Sequence, residues 1–287
     1  MYTTQHSRCL NMAMLMVFVV CIFLLVGDVT RAALTSAQNA STLAFLQSFT
    51  VSMPDLADVW TGDEWCTWPY ISCNSDTSTT LAIDSAGFTG SLPELQATVN
   101  GANVALTEIA VTNMNITGGF KDTWGGLTRV RVLNFTNTNL FGTIPMRWNA
   151  MRSLETVILK NCSACGSLPH WTLRGLKNID VSQNVLRGPL PNTWGNIAGL
   201  QTISLVDNHF CGCKPPSWVS RALTNALFQA MGSGPFNVNC RSPTNCASEG
   251  ARCSLAPPQY HDAAAPPPFM LLPVSTLILA LMAIYAV

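Results

Sequence analysis

Charge is scarce in this sequence: only 10% of its 287 residues are acidic or basic, fifteen of each sign, so the net charge is zero. No basic stripe runs along the chain, which argues against a nucleic-acid partner, and no block of like charge forms an acidic or basic tail. The groupings that carry catalysis are missing as well. His170, His209 and Asp180 have no nucleophile elbow and no metal-spaced partner beside them. Glycines recur singly instead of clustering into a phosphate-cradling loop. Neither an enzyme nor a cofactor or metal is expected. Length permits one large or two small domains.

What is abundant is apolar sequence, 48% of the chain, inflated by a run at each terminus. Residues 1–32 read as a secretory signal peptide: Arg8, an apolar stretch from Leu10 to Gly27, then small residues at Thr30 and Ala32. The alternative is an uncleaved signal anchor. Residues 269–287 are apolar to Val287 with no Lys or Arg after them, whereas a membrane-spanning helix usually has basic residues on its cytoplasmic side. A hydrophobic tail preceded by small residues is the form of a glycosylphosphatidylinositol (GPI) anchor signal. Asp262, followed by Ala263 and Ala264, is the expected attachment site, Ser254 with Ala256 the second choice, and a tail-inserted helix the alternative. Residues 256–268 form a Pro/Ala-rich tether. Such routing takes the chain through an oxidising compartment, where cysteines pair.

Between these runs the sequence repeats. Taking the first residue of each apolar-x-apolar pair gives Leu81, Ile109, Leu133, Val157, Ile179 and Ile203, at intervals of 28, 24, 24, 22 and 24. Nine residues after every start stands a glycine, from Gly90 to Gly212, and twelve after five of the six a proline, with Lys121 the departure. Tryptophan follows in five: Trp124, Trp148, Trp171, Trp194 and Trp218. A fixed period of this length marks a stacked-repeat architecture. The expected fold is an α/β solenoid, a leucine-rich repeat horseshoe with short parallel strands on its concave face. It has about six repeats over residues 79–215, between disulfide-stapled caps at 33–78 and 216–255. Position five after the start carries Asn184 and Asn208, whose amides suit buried backbone groups. Earlier repeats have Ala86, Met114, Thr138 and Cys162 there, so that ladder is expected only in the C-terminal half.

A solenoid's end repeats expose core and need covering. Leu43, Phe45, Leu46 and Phe49 share a helix face that Ser41 is able to cap, and Cys66 and Cys73 beside Trp68 are the expected staple. Residues 216–231 read as a closing helix followed by Cys240, Cys246 and Cys253; a Cys213–Cys240 bridge is one of fifteen pairings open. Nine cysteines follow the signal, so one stays free. Cys162 is one candidate, and a Cys162–Cys165 bridge is the rival. That C-x-x-C spacing also suits redox chemistry or zinc, a weak signal from one pair in an exported chain.

The face flanking the inward pairs is the candidate binding surface: Asp84, Glu108, Thr112, Asn134, Thr136, Thr156, Lys160, Asn178, Asp180, Ser182, Thr202 and Ser204. Its small hydroxyl and amide side chains suit a sugar or polypeptide partner but include no aromatic anchor; a plain solvated face is the competing reading. Four N-x-[ST] acceptors occur, at Asn39, Asn115, Asn134 and Asn161.

The G-x-[LI]-P turn at this period resembles the plant-type class of leucine-rich repeat. W-T-G-x-x-x-C-x-W-x-x-x-x-C from Trp60 to Cys73, the L-P-x-x-W repeats, and H-F-C-G-C from His209 to Cys213 together resemble the promastigote surface antigens of trypanosomatid parasites. The resemblance covers about Ser41 to Cys253, without the family's long Thr/Pro-rich stalk. It implies a GPI-anchored cell-surface glycoprotein that contacts an extracellular host protein or glycan, joined to the membrane by its lipid and lacking catalytic residues. The alternative is a secreted or transmembrane leucine-rich repeat receptor or inhibitor that binds a foreign protein; a coat with no specific ligand is the third possibility.

Overall fold

Alternate side chains of a strand share a face, and the apolar pairs Leu81/Ile83, Ile109/Val111, Leu133/Phe135, Val157/Leu159, Ile179/Val181 and Ile203/Leu205 are all buried. In a computed structural model, which describes residues 34–74, 78–231, 236–237 and 253, each pair starts on a short strand. The strands, in chain order, are β1 Ile71–Cys73, β2 Thr79–Asp84, β3 Gly90–Ser91, β4 Glu108–Thr112, β5 Ile116–Thr117, β6 Val132–Asn134, β7 Gly142–Thr143 and β8 Thr156–Ile158. There follow β9 Ala164–Gly166, β10 Asn178–Asp180, β11 Val185–Gly188, β12 Thr202–Ser204, β13 His209–Phe210, β14 Gly212–Cys213 and β15 Phe236–Asn237. The expected signal, tether and tail, with Asp262 and Cys240, lie outside the described residues.

One sheet of order β1-β2-β4-β6-β8-β10-β12 collects the repeat starts. Its register pairs Leu81 with Ile109, Ile109 with Leu133, Leu133 with Val157, Val157 with Ile179 and Ile179 with Ile203. The sequence alignment is thus the hydrogen-bond register. A second sheet, β13-β11-β9-β7, forms where the chain leaves each strand; its two- to four-residue strands are too short to leave a periodic signal in the sequence. The chain turns between the sheets through a left-handed residue four after each start: Ser85, Asn113, Asn137, Asn161, Gln183 and Asp207, φ 50–58°. Asn and Asp tolerate this region best among residues with a side chain. Gly90, at φ +133°, is required twice over, since a Cβ there would run into the Ser52 carbonyl oxygen.

The tryptophans join the repeats. Each indole N–H donates to the carbonyl twelve residues after the preceding repeat's start: Trp124 to Pro93 at 2.8 Å, Trp148 to Lys121 at 2.9 Å, Trp171 to Pro145 at 3.1 Å, Trp194 to Pro169 at 3.0 Å and Trp218 to Pro191 at 2.9 Å. Lys121 keeps the extended backbone (φ −94°, ψ 114°) of Pro191 (φ −73°, ψ 124°), so its carbonyl serves equally. The rings of Trp148, Trp171, Trp194 and Trp218 stack with centroids 6.2, 6.4 and 6.4 Å apart.

The first repeat has no such tryptophan, and the N-terminal helix supplies its rings. Helix α1, Ser36–Ser52, is capped by a reciprocal pair of bonds between Thr35 and Gln38. It begins five residues before the expected Ser41, because the capping box precedes the apolar face that drew attention. Phe45 and Phe49 pack on Trp124 at 5.8 and 6.3 Å. A bridge joins Cys66 to Cys73 and holds β1 antiparallel against β2. At the other end α2, Arg221–Met231, starts later than the expected 216 because Pro215 to Val219 form the turn that seats Trp218.

Cys165 bridges to Cys253, 88 residues on, and Cys162 is a free buried thiol; the rival Cys162–Cys165 bridge does not form. Cys162 points into the core, where its thiol donates to the Phe135 carbonyl oxygen at 2.8 Å, while Cys165 belongs to the flanking sheet. Cys211 and Cys213 are disulfide-bonded. Asn184 and Asn208 do form the buried ladder: the Asn184 amide accepts from the backbone of Cys162 and Ala164 and donates to Leu159, Val181 and Ser182.

Trp194→Phe leaves the Pro169 carbonyl without its buried donor. We expect a loss of about 1–3 kcal/mol in urea unfolding; an unchanged midpoint would remove the indole bond from the account of stability. Burial pushes the Cys162 thiol up to about 12. It should therefore resist alkylation at pH 8 in the folded protein and react once urea unfolds it.

Candidate binding face

The twelve sequence-predicted residues lie on the strands of the seven-stranded sheet or within two residues of their ends, as the alternation requires. Many of their polar groups are already paired across repeats. Asn178 donates to the Thr156 hydroxyl at 3.1 Å and accepts from that of Thr202 at 2.6 Å. Thr112 donates to Asp84 at 2.6 Å. Asn134 Oδ1 accepts from both the backbone and the hydroxyl of Thr136, at 3.1 and 2.7 Å. Asp180 does the same for Ser182, at 2.9 and 2.6 Å. Ser182 is 6% exposed, which corrects its place among the contact residues: the turn after β10 folds its hydroxyl back on Asp180. Asp84, Glu108, Lys160, Asp180 and Ser204 remain accessible.

Two rims border the face, and neither was singled out in the sequence. Two residues before the starts, Arg131 Nε and Lys177 Nζ meet the two oxygens of Glu155 at 2.9 and 2.7 Å. The hydrogen bonds from Arg131 and Lys177 hold the Glu155 carboxyl at about 2 against an ordinary 4.5. On the opposite rim the left-handed residues form a chain of amides, from Asn161 through Asn137 and Asn113 to Asp84. The Thr112 hydroxyl, then the Asn113 amide, keep the Asp84 carboxyl below its usual value. The signal for this rim was present, three asparagines at one repeat position, but Asn at a turn reads as turn chemistry.

Tyr70 lies in the cap just before β1, its carbonyl accepting from Ala82 N of β2 at 2.9 Å. It holds φ +68°, uncommon for a bulky side chain, and its ring packs edge-on against Phe88 at 5.7 Å while 37% exposed. Elsewhere a hollow of about 460 Å³ is lined by turn residues including Pro145, Met146, Arg147, Pro169 and His170, and by none of the predicted contact residues. Among the described residues no cluster of His, Cys, Asp or Glu suits a metal ion, and no helix is long and apolar enough to cross a membrane.

Among known proteins, 120 residues of the chain are 32% identical to the surface membrane glycoprotein GP46/M-2 of Leishmania amazonensis, a match over 40% of this chain and 25% of that protein. The chain therefore matches about a quarter of that relative's length. The likeness to trypanosomatid surface antigens read from the sequence stands on this match. No protein-family model matches. Among solved structures the chain is similar to the leucine-rich repeat ectodomain of the Arabidopsis thaliana membrane receptor kinase GASSHO1/SCHENGEN3 (TM-score 0.54, 18% identity, 69% of this chain and 23% of that one). It is also similar to PEPR1 in its structure with AtPEP1 (TM-score 0.53, 21% identity, 64% and 26%) and to a plant ice-binding protein (TM-score 0.52, 21% identity, 64% and 59%). These likenesses establish the fold: the chain is a leucine-rich repeat protein.

A carboxyl whose folded value is depressed stabilises above its unfolded value and loses that contribution as pH falls through the folded one. The Glu155 contribution should fade between about pH 4.5 and 2. Its partly exposed pairs limit the size to about 1 kcal/mol, screened by salt. Glu155→Gln should lower stability at pH 7 by that amount and leave stability at pH 2 unchanged; equal effects at both values would discount the ion pairs.

Proposed function

We propose that this leucine-rich repeat protein, similar over part of its length to a Leishmania surface glycoprotein, is a GPI-anchored cell-surface glycoprotein that adheres to an extracellular protein or glycan through its strand face. The observation that carries the reading is the face itself: in-register strands set accessible Asp84, Glu108, Lys160 and Asp180 on a surface fixed by cross-repeat bonds. Such prior ordering lowers the entropy lost on binding. The reading is a non-enzymatic one, in keeping with a relative named as a surface glycoprotein. The relative is named for the membrane surface, and the apolar tail after Asp262 supports a lipid anchor.

The Cys165–Cys253 bridge ties the last described residue to β9 in the fourth repeat. Of the sugar acceptors, Asn39 and Asn115 are exposed. A glycan on Asn134 would cover the middle of the face and direct large partners to its ends.

Phosphatidylinositol-specific phospholipase C should release the protein from intact cells; complete retention on the membrane would reject the anchor. In pull-downs with the released protein, substituting Asp84, Glu108, Lys160 and Asp180 together by alanine should weaken capture of a cell-surface partner about tenfold or more. Capture unchanged by all four would reject the face and favour a coat. Tryptic mass spectrometry that finds Asn134 unmodified would leave the centre of the face open.

A further inference from the structure

One rim of the strand face is a directional rail of side-chain amides. Asn161 Nδ2 donates to Asn137 Oδ1 at 3.1 Å, Asn137 Nδ2 to Asn113 Oδ1 at 2.7 Å, and Asn113 Nδ2 to Asp84 Oδ1 at 2.7 Å. Every donor points toward the N-terminal cap, so neighbouring bonds polarise one another in the same sense. The left-handed backbone beneath is fixed by bonds from the amide N–H groups of Asn113, Asn137 and Asn161 to the carbonyls of Thr136, Lys160 and Ser182, at 2.9, 2.9 and 3.0 Å. A side-chain amide has two N–H donors and two acceptor lone pairs, and the rail uses one of each at Asn113 and Asn137. A second donor and acceptor remain at each, repeated at the strand spacing of about 4.8 Å. Asp84, Asn113 and Asn137 are exposed to present them.

The cap brings an aromatic residue to β2, the strand that carries Asp84 at the rail's end. The Tyr70 carbonyl accepts from Ala82 N at 2.9 Å, two residues before Asp84 on β2, and Phe88 braces the Tyr70 ring from its edge. An aromatic ring offers an apolar face with a polar handle, which suits the C–H face of a sugar, while adjacent sugar hydroxyls match an amide's paired donor and acceptor. We propose that this rim binds a neutral, unbranched glycan, with successive hydroxyl groups on Asn113 and Asn137 and one sugar ring against Tyr70. The inference rests on the adhesive reading above and names its ligand class.

Two other partners fit less well. An anionic glycan would bring its charge to the Asp84 carboxylate, and of the nearby cations Arg131 and Lys177 are engaged by Glu155 on the opposite rim, leaving Lys160 at the far end from Tyr70. A polypeptide adding a strand needs a long open sheet edge, whereas the first edge of this sheet, β1, offers only the three residues Ile71–Cys73, and α2 packs beside the last strand, β12.

The test is isothermal titration of the full-length protein, purified in detergent, with unbranched hexasaccharides. The neutral probes are β1,4-linked glucose, β1,4-linked N-acetylglucosamine and α1,6-linked mannose, and a heparin-derived hexamer is the charged one. At least one neutral chain should bind, and Asn137→Asp and Tyr70→Ala should each weaken it about tenfold, with the heparin hexamer failing to compete. Asn113→Asp replaces either variant that does not fold by circular dichroism. Binding by none of the neutral chains, tighter binding by the charged one, or indifference to the substitutions overturns the inference. If the neutral chains fail while the four-charge variant still loses its cell-surface partner, only the glycan assignment falls. Failure of both removes the adhesive reading too.

Discussion

A single repeat of this chain has too little side chain to enclose a core, so every layer is finished by its neighbour. The tryptophan is where that dependence concentrates. Its ring fills the interior between repeats, and its N–H, which burial would otherwise leave unsatisfied at a cost of about 1–3 kcal/mol, reaches the carbonyl of the preceding turn in all five cases. The proline that recurs at that turn holds the backbone extended so that the carbonyl faces the indole. Lys121 shows that the backbone conformation, more than the ring, is what the contact needs. The first repeat, without its own tryptophan, completes the rule: Phe45 and Phe49 come from the cap to meet Trp124.

This stacking sets the strands in register, and register places like positions beside like. A polar side chain on the face therefore finds its counterpart one strand away. Both rims follow from this, the ion pairs of Arg131, Glu155 and Lys177 and the amides from Asn161 to Asp84. The result is a surface ordered before any partner arrives. Its specificity must come from what those bonds leave unused and from the charges they do not engage, Glu108 and Lys160 among them.

The repeat frame was legible because inward pairs and glycine recur at fixed offsets with a tryptophan fourteen or fifteen residues after five of the starts, and the buried Asn184 and Asn208 were legible because an amide at their position suits buried backbone groups. Legibility failed where the cause lay outside the repeat. Ser182 alternates outward in sequence, yet a turn bond buries it against Asp180. The start of α1 was set by Thr35 and Gln38, two polar residues ahead of the apolar face. Tyr70 belongs to the cap, so nothing in the repeat pattern placed its carbonyl against Ala82 of β2 or its ring against Phe88.

By itself the sequence determined the repeat architecture, its register and the need for caps at both ends, since all of these follow from periodic spacing along one chain. Only the tertiary structure decided that Cys165 pairs with Cys253 while Cys162 stays buried and free, and that a rail of amides runs from Asn161 to Asp84. Those outcomes depend on which way a side chain points and what a distant segment brings to it. Spacing encodes neighbours at one period, whereas a bridge across 88 residues or a tyrosine held by β1 is encoded only in how the ends of the solenoid close.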